Sequence, residues 1–228
     1  MTDKLIYIFI FLCSVLSCKT EVNIENNKLE NSKIDKINVL GNRYLDLGRF
    51  SGTILVSTNN STVYNQSFGM ADYENKNPFT SKTAFKIGEI TTLITDNIIH
   101  KLIKKGKIKP TDKLSRYLKD FKSDVTINDL MTNKSPDNYN TLGKLIEQVS
   151  GKSYQNNIQE YAEDLELENT YFNKEDSNTA IGYLYHNYRG NGLELQKSPT
   201  YNLDVSFSSK GLKSTATDLL KILKSGTD

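Results

Sequence analysis

Three polar side chains on one helical stretch are the chain's best candidates for chemistry. Glu89, Thr92 and Asp96 follow one another at spacings of three and four residues, which places them on one face of a helix. At about 1.5 Å of rise per residue, the two carboxylates lie about 10 Å apart along the axis, slightly more than the span of a glycosidase pair. A structural reading competes, because the helix dipole favours a carboxylate in a first helical turn.

The elements that must position these side chains can be read from the hydrophobic pattern. Within Phe85–Gly106, FKIGEITTLITDNIIHKLIKKG, apolar residues recur at helical spacing and predict a largely buried helix over Glu89–Lys105. The same spacing predicts a helix over Ile34–Gly48. Phe50–Gly69 alternates as a β-hairpin does, with Asn59 and Asn60 at its turn.

The approach to the central helix resembles that of the serine β-lactamase and penicillin-binding family. In that family an aromatic residue, a basic residue, Ile and Gly precede Ser-x-x-Lys, whose Ser is acylated and whose Lys helps to remove the proton. Here Phe85-Lys86-Ile87-Gly88 leads to Glu89 and Thr92 at the matching positions. The resemblance therefore implies a site that keeps its frame but has no catalytic residues.

Further segments follow in the order of the family. They are FSGTILV in the hairpin, then Lys107–Phe121, Val125–Thr132, Thr141–Tyr154, Asn169–Phe172 and Gly211–Leu219. The resemblance implies an α+β, β-lactamase-like fold, in which an antiparallel sheet is flanked by helices and joined by a helical subdomain.

The chain also departs from the family pattern. Lys134-Ser135-Pro136 stands where the family's Tyr-x-Asn motif is expected, and most of the preceding loop is missing. The sequence stops at Asp228, before the strand that carries the third family motif, so we expect a C-terminally incomplete domain. The triplet Lys224-Ser225-Gly226 follows a helical run, Thr215–Leu223, which favours Gly226 as a helix C-cap.

Other kinds of chemistry find little support in the composition. The net charge is +2, which gives no field suited to nucleic acid. The two histidines, His100 on the central helix and His186 in a Tyr-rich loop, are interpreted as surface or packing residues. No residues have metal-ligand spacing, and we expect neither a metal nor a cofactor.

The N-terminus predicts export and lipid attachment. Leu5–Leu16 is a short apolar run, and Val15-Leu16-Ser17-Cys18 resembles a bacterial lipobox. We predict a lipoprotein signal peptide over residues 1–17 and lipidation of Cys18, with an ordinary secretory signal as the alternative. A polar tether over residues 18–33 would then join the membrane to a domain over residues 34–228.

These observations leave three functional hypotheses. The first is a catalytically inactive lipoprotein of a bacterial cell envelope that binds cell-wall peptides or a protein partner. The second is a truncated remnant without activity, and the third is a hydrolase that uses Glu89 as a carboxylate nucleophile. A two-stranded hairpin is marginal alone and exposes an edge, so we also predict weak stability or self-association through residues 50–69.

Overall fold

The computed structural model describes residues 30–59, 61–121, 124–172, 178–187, 193–198 and 207–226. In chain order the elements are α1 (Asn31–Asp46), β1 (Gly52–Thr58), β2 (Ser61–Phe68), β3 (Met70–Asp72), β4 (Asn77–Pro78), β5 (Phe85–Lys86), α2 (Thr91–Lys104), α3 (Ile127–Thr132), α4 (Pro136–Ser150), α5 (Tyr154–Asp164), β6 (Tyr171–Phe172), β7 (Tyr183–Asn187), β8 (Leu193–Lys197), α6 (Phe207–Lys210), β9 (Leu212–Ser214) and α7 (Ala216–Ser225).

The N-terminal hairpin is confirmed. β1 and β2 pair antiparallel, and Asn59 at their turn has a positive φ of 45°. Helix α1 lies against β2, where the Tyr64 hydroxyl donates a hydrogen bond of 2.7 Å to Asn38 Oδ1. The helix begins three residues before the predicted Ile34, so it takes in the end of the predicted tether.

The central helix is also confirmed, with one correction at its start. Glu89 does not lie in the α-helix but in a 3₁₀ turn, Gly88–Ile90, that precedes α2. The turn arises because Gly88 has a positive φ of 55° and the Ile87 N–H is bound to the Leu212 carbonyl at 3.0 Å. Gly106, with a φ of 67°, ends the helix as predicted.

The hydrophobic core is built around α2. This helix contacts α4, α5 and α6, and its side chains at Ile94 and Ile99 have no exposed surface. The other fully buried aliphatic side chains include Leu114, Ile127, Leu142, Leu145, Ile146 and Leu212. The apolar pattern of α2 therefore explains why this helix is buried among α4, α5 and α6.

The described strands form small antiparallel sheets. β5, β9 and β6 make a three-stranded sheet beside the start of α2, while β7 pairs with β8. The interpretation of His186 as a loop residue is wrong, because it lies in β7 and its backbone pairs with Glu194. The run Tyr183-Leu184-Tyr185 that precedes His186 consists of residue types that favour strands, and its residues pair across to β8.

The C-terminal landmark folds as the sequence predicts. Thr215 is the N-cap of α7, its side chain accepts a hydrogen bond from the Asp218 N–H, and Gly226 is the C-cap. No helix within the described ranges is long and apolar enough to cross a membrane. Residues 1–17, most of the tether and Cys18 lie outside the described residues, so the signal peptide and the lipidation site stay predictions.

Candidate functional site

Glu89 and Thr92 are brought together, but they are not arranged as a nucleophile and a base. The Thr92 hydroxyl donates a hydrogen bond of 2.7 Å to the carbonyl oxygen of Glu89. The Glu89 carboxylate points away, and its Oε1 lies 3.3 Å from Lys210 Nζ at the end of α6. Because 76% of the Glu89 side chain is exposed, this ion pair contributes little to stability.

Asp96 is the buried acid of the site. Its Oδ2 accepts a hydrogen bond of 2.8 Å from the Tyr139 hydroxyl and lies 3.9 Å from Lys134 Nζ. Its Oδ1 is buried and has no hydrogen-bond partner in the described part of the chain. Burial raises the pKa of Asp96, although Tyr139 and Lys134 act in the opposite direction.

Tyr139 supplies a neutral hydroxyl rather than a base. Its side chain is fully buried on α4, and both burial and the neighbouring Asp96 carboxylate raise its pKa. A hydrogen bond with Thr92 lowers the pKa of Tyr139, but by less than the other two effects raise it. A phenol in this environment keeps its proton at neutral pH, so it does not take one from a reacting hydroxyl.

Lys134, which the sequence predicts at the place of the family tyrosine, is held by the start of α4. Ser135 caps that helix by accepting a hydrogen bond of 3.2 Å from the Asn138 N–H, and Pro136 is its first residue. The Lys134 amine is thereby directed at Asp96, beyond Thr92 on α2. An amine therefore reaches the site, but it faces a carboxylate instead of a hydroxyl nucleophile.

Buried hydroxyls fix α6 against α2. The Thr95 hydroxyl lies 2.7 Å from the Tyr154 hydroxyl and 2.8 Å from the carbonyl oxygen of Ser208. The Ser208 hydroxyl donates a hydrogen bond of 2.9 Å to the carbonyl oxygen of Tyr139. These groups are buried and bound to one another, so they act as a scaffold that places Lys210 beside Glu89.

Two side chains of this site and one contact were missed by the sequence reasoning. Tyr139 and Lys210 belong to elements far from α2 in the chain, and the partner of Lys134 could not be read from its triplet. His100, in contrast, is exposed on α2 as expected. In the described residues no group of three His, Cys, Asp or Glu side chains could hold a metal ion.

The buried acid predicts a pH dependence of stability. Because the folded-state pKa of Asp96 is raised, the free energy of unfolding should fall as pH rises from about 4, the unfolded value, through the folded value. Asp96→Asn has no titrating group at this position, so its free energy of unfolding should not fall in this way. The difference in free energy of unfolding between the variant and the natural chain should therefore change in favour of the variant across that window. Urea unfolding at several pH values measures it.

Asp124→Asn is the control for that experiment. Lys113 lowers the pKa of the exposed Asp124. The contribution of Asp124 to stability is therefore lost as pH falls, whereas that of Asp96 is lost as pH rises. If the free energy of unfolding of Asp96→Asn and of the natural chain had the same pH dependence, the raised pKa of Asp96 would be contradicted.

Comparisons with known proteins agree with this architecture. The sequence model of the Beta-lactamase family matches residues 43–227. Teichoic acid D-alanine hydrolase of Staphylococcus aureus is 26% identical over 233 residues, which cover 85% of this chain and 58% of that protein. The chain thus spans less than two thirds of the length of these curated relatives.

Solved structures show the same likeness. FmtA from Staphylococcus aureus superposes with a TM-score of 0.70 at 25% identity, covering 87% of this chain and 67% of that one. A class C β-lactamase gives a TM-score of 0.70 at 18% identity, covering 86% and 65% of the two chains. A penicillin-binding protein homologue from Pyrococcus abyssi gives 0.69 at 22% identity, covering 86% and 56%. The predicted β-lactamase-like fold is confirmed, and the chain belongs to the β-lactamase family of serine hydrolases.

Proposed function

We propose that this chain is a non-acylating member of its family that binds D-alanyl groups of the bacterial cell envelope from a lipid anchor at Cys18. One observation carries the proposal. Glu89 and Thr92 stand where the family nucleophile and lysine are expected, and their side chains are bound to Lys210 and to the Glu89 backbone. The site therefore offers charged groups for binding but no activated hydroxyl for acyl transfer.

The choice of ligand rests on the exposed ion pair and on the relatives. The curated relatives are named for teichoic acid D-alanine. A D-alanyl ester carries a free ammonium group, which Glu89 would bind. A peptide that ends in D-alanine carries a carboxylate, which Lys210 would bind. Both ligands carry a terminal D-alanyl group. Dependence of binding on Glu89 would indicate the ester, and dependence on Lys210 would indicate the peptide.

A binding measurement with a turnover control tests this proposal. The full chain in nanodiscs is titrated with a D-alanyl ester of glycerol phosphate and with N-acetyl-D-alanyl-D-alanine, while released D-alanine is measured. We expect at least one of the two ligands to bind without release of D-alanine. Glu89→Gln should lower the affinity for the ester, and Lys210→Gln should lower the affinity for the peptide.

The outcomes of that titration separate the competing hypotheses. The exposed Glu168→Gln removes the same charge outside the site and should change neither affinity. Release of D-alanine would indicate a working hydrolase. Binding of neither ligand would overturn the proposal and favour a remnant without activity of its own.

The lipid anchor makes a separate prediction. If signal peptidase II removes residues 1–17, globomycin should cause the precursor to accumulate, and Cys18→Ala should remove all incorporation of labelled fatty acid. Ser17→Ala keeps a small residue before the cysteine and serves as the control. Normal processing in globomycin and in Cys18→Ala would instead favour an ordinary secretory signal.

A further inference from the structure

A cavity lies between the start of the hairpin and the β7–β8 pair. It has a volume of about 540 Å³, within the usual range for small-molecule sites. The residues that carry the proposed D-alanyl site, Glu89, Thr92, Asp96, Lys134 and Tyr139, do not line it. It is thus a separate place at which a ligand could be held.

Aromatic rings form the walls of this cavity. Phe79 and Phe85 are stacked, with ring centroids 5.2 Å apart and planes inclined by 13°. On another side, the rings of Tyr73 and Tyr183 meet edge to face at 5.1 Å. Flat apolar groups are favoured between such rings, because stacking and edge contacts add to the gain from burial.

The tyrosine wall is held rigidly. The Tyr183 hydroxyl accepts a hydrogen bond of 2.9 Å from the Tyr73 N–H and donates one of 3.1 Å to Asp72 Oδ1. Asp72 is further bound by the side chain of Asn75 and by the N–H groups of Glu74 and Asn75. These bonds lower the pKa of Asp72 and engage its charge within its own turn.

Two cations lie at the cavity and have no acidic partner there. Arg49 and Lys86 are lining residues, and none of the described residues that line the cavity is Asp or Glu. Neither cation has a salt-bridge partner within the described part of the chain. Both stand on ordered backbone, since the Arg49 N–H is bound to the Tyr44 carbonyl at 2.8 Å and Lys86 belongs to β5.

We propose that this cavity binds a small anion with a flat apolar body, such as an aryl carboxylate. The body lies against the Phe79–Phe85 and Tyr73–Tyr183 pairs, and the anionic head pairs with Arg49 and Lys86. Charge complementarity decides the class of ligand, because a neutral aromatic molecule would leave both cations without a partner and a cation would be repelled.

A matched pair of probes tests the inference. 2-Naphthoate and 2-naphthamide have nearly the same shape and differ in charge. Isothermal titration of the full chain in phosphatidylcholine nanodiscs, with empty nanodiscs subtracted, gives both affinities. We expect one naphthoate per chain and an affinity at least about tenfold higher than that of the amide, as expected for charge-assisted hydrogen bonds.

Substitutions assign that preference to the two cations. In Arg49→Gln/Lys86→Gln the affinity for naphthoate should fall to that for naphthamide, with the amide unchanged. Lys36→Gln/Lys104→Gln removes the same charge from exposed positions outside the cavity and should leave the preference intact. Equal affinities in the natural chain, a preference that survives in Arg49→Gln/Lys86→Gln, or no binding of either probe would overturn the inference.

Discussion

Incubation of the purified chain with a fluorescent penicillin is expected to leave it unlabelled. An acyl-enzyme requires a nucleophile with a nearby base, and the sequence predicts Glu89 at the place of the family nucleophile. The hydroxyl at Thr92 is bound to a backbone carbonyl, and Tyr139 beside it keeps its proton. Intact-mass spectrometry gives the readout, and a penicillin-binding protein labelled in the same mixture is the positive control.

Restoring the two motif residues is not expected to restore acylation. Glu89→Ser/Thr92→Lys supplies the hydroxyl and amine but also removes the partner of Lys210. The new lysine would lie beside Tyr139 and the buried Asp96, where an ion pair with the carboxylate competes with its role as a base. Lys134, predicted at the place of the family tyrosine, is also unchanged in this variant. Groups that act as a unit are not repaired singly.

One outcome would contradict this account of the site. A stoichiometric penicillin adduct on the natural chain, at any residue, would show that another hydroxyl is activated. Ser208 is not expected to be the labelled residue, because it is buried and its hydroxyl donates a hydrogen bond to the Tyr139 carbonyl. Peptide mapping of the adduct would identify the residue.

The elements with a local pattern could be predicted from the sequence. The apolar spacing of α2, the alternation in β1 and β2, and the capping of α7 each depend on residues close together in the chain. Helix α2 begins at Thr91 and not at the predicted Glu89, because the turn at Gly88 depends on a contact with Leu212 in a distant strand. His186 differs from the prediction for another reason: β7 pairs with β8, its neighbour in the chain, although the stretch is rich in polar residues.

The site was less predictable than the fold. The positions of Glu89 and Thr92 came from the resemblance to the family, but their partners depend on where α4 and α6 pack. Lys210 reaches Glu89 only because the Thr95–Ser208 contact holds α6 against α2. The burial of Asp96 likewise depends on Tyr139. Such contacts between distant elements have no local sequence signal.

The exposed hairpin leads to the second large effect, which is self-association. In the described part of the chain β1 pairs with β2 and with no other strand, so one edge of Gly52–Thr58 has unpaired N–H and C=O groups. Its centre, Ile54-Leu55-Val56, is apolar, whereas β2 is mostly polar. We propose that β1 of one copy pairs antiparallel with β1 of a second copy, because an apolar open edge favours another strand.

A charge on β1 should therefore shift the chain towards the monomer. Ser57→Lys puts a lysine on the open strand, and Thr62→Lys puts the same charge on the directly paired position of β2. In an antiparallel pair of copies centred on Ile54-Leu55-Val56, each new lysine puts a charge next to the other strand and interrupts the edge, so Ser57→Lys should weaken the dimer by about tenfold or more. Thr62→Lys should leave the dimer affinity unchanged.

Two measurements test the pairing through β1. Light scattering of the chain without nanodiscs, over a range of concentrations, measures the fraction of dimer, and hydrogen exchange shows which amides the dimer protects. Slow exchange of β1 amides that becomes fast in Ser57→Lys would place the interface on that strand. A monomer at all concentrations, or equal effects of the two lysines, would contradict pairing through β1.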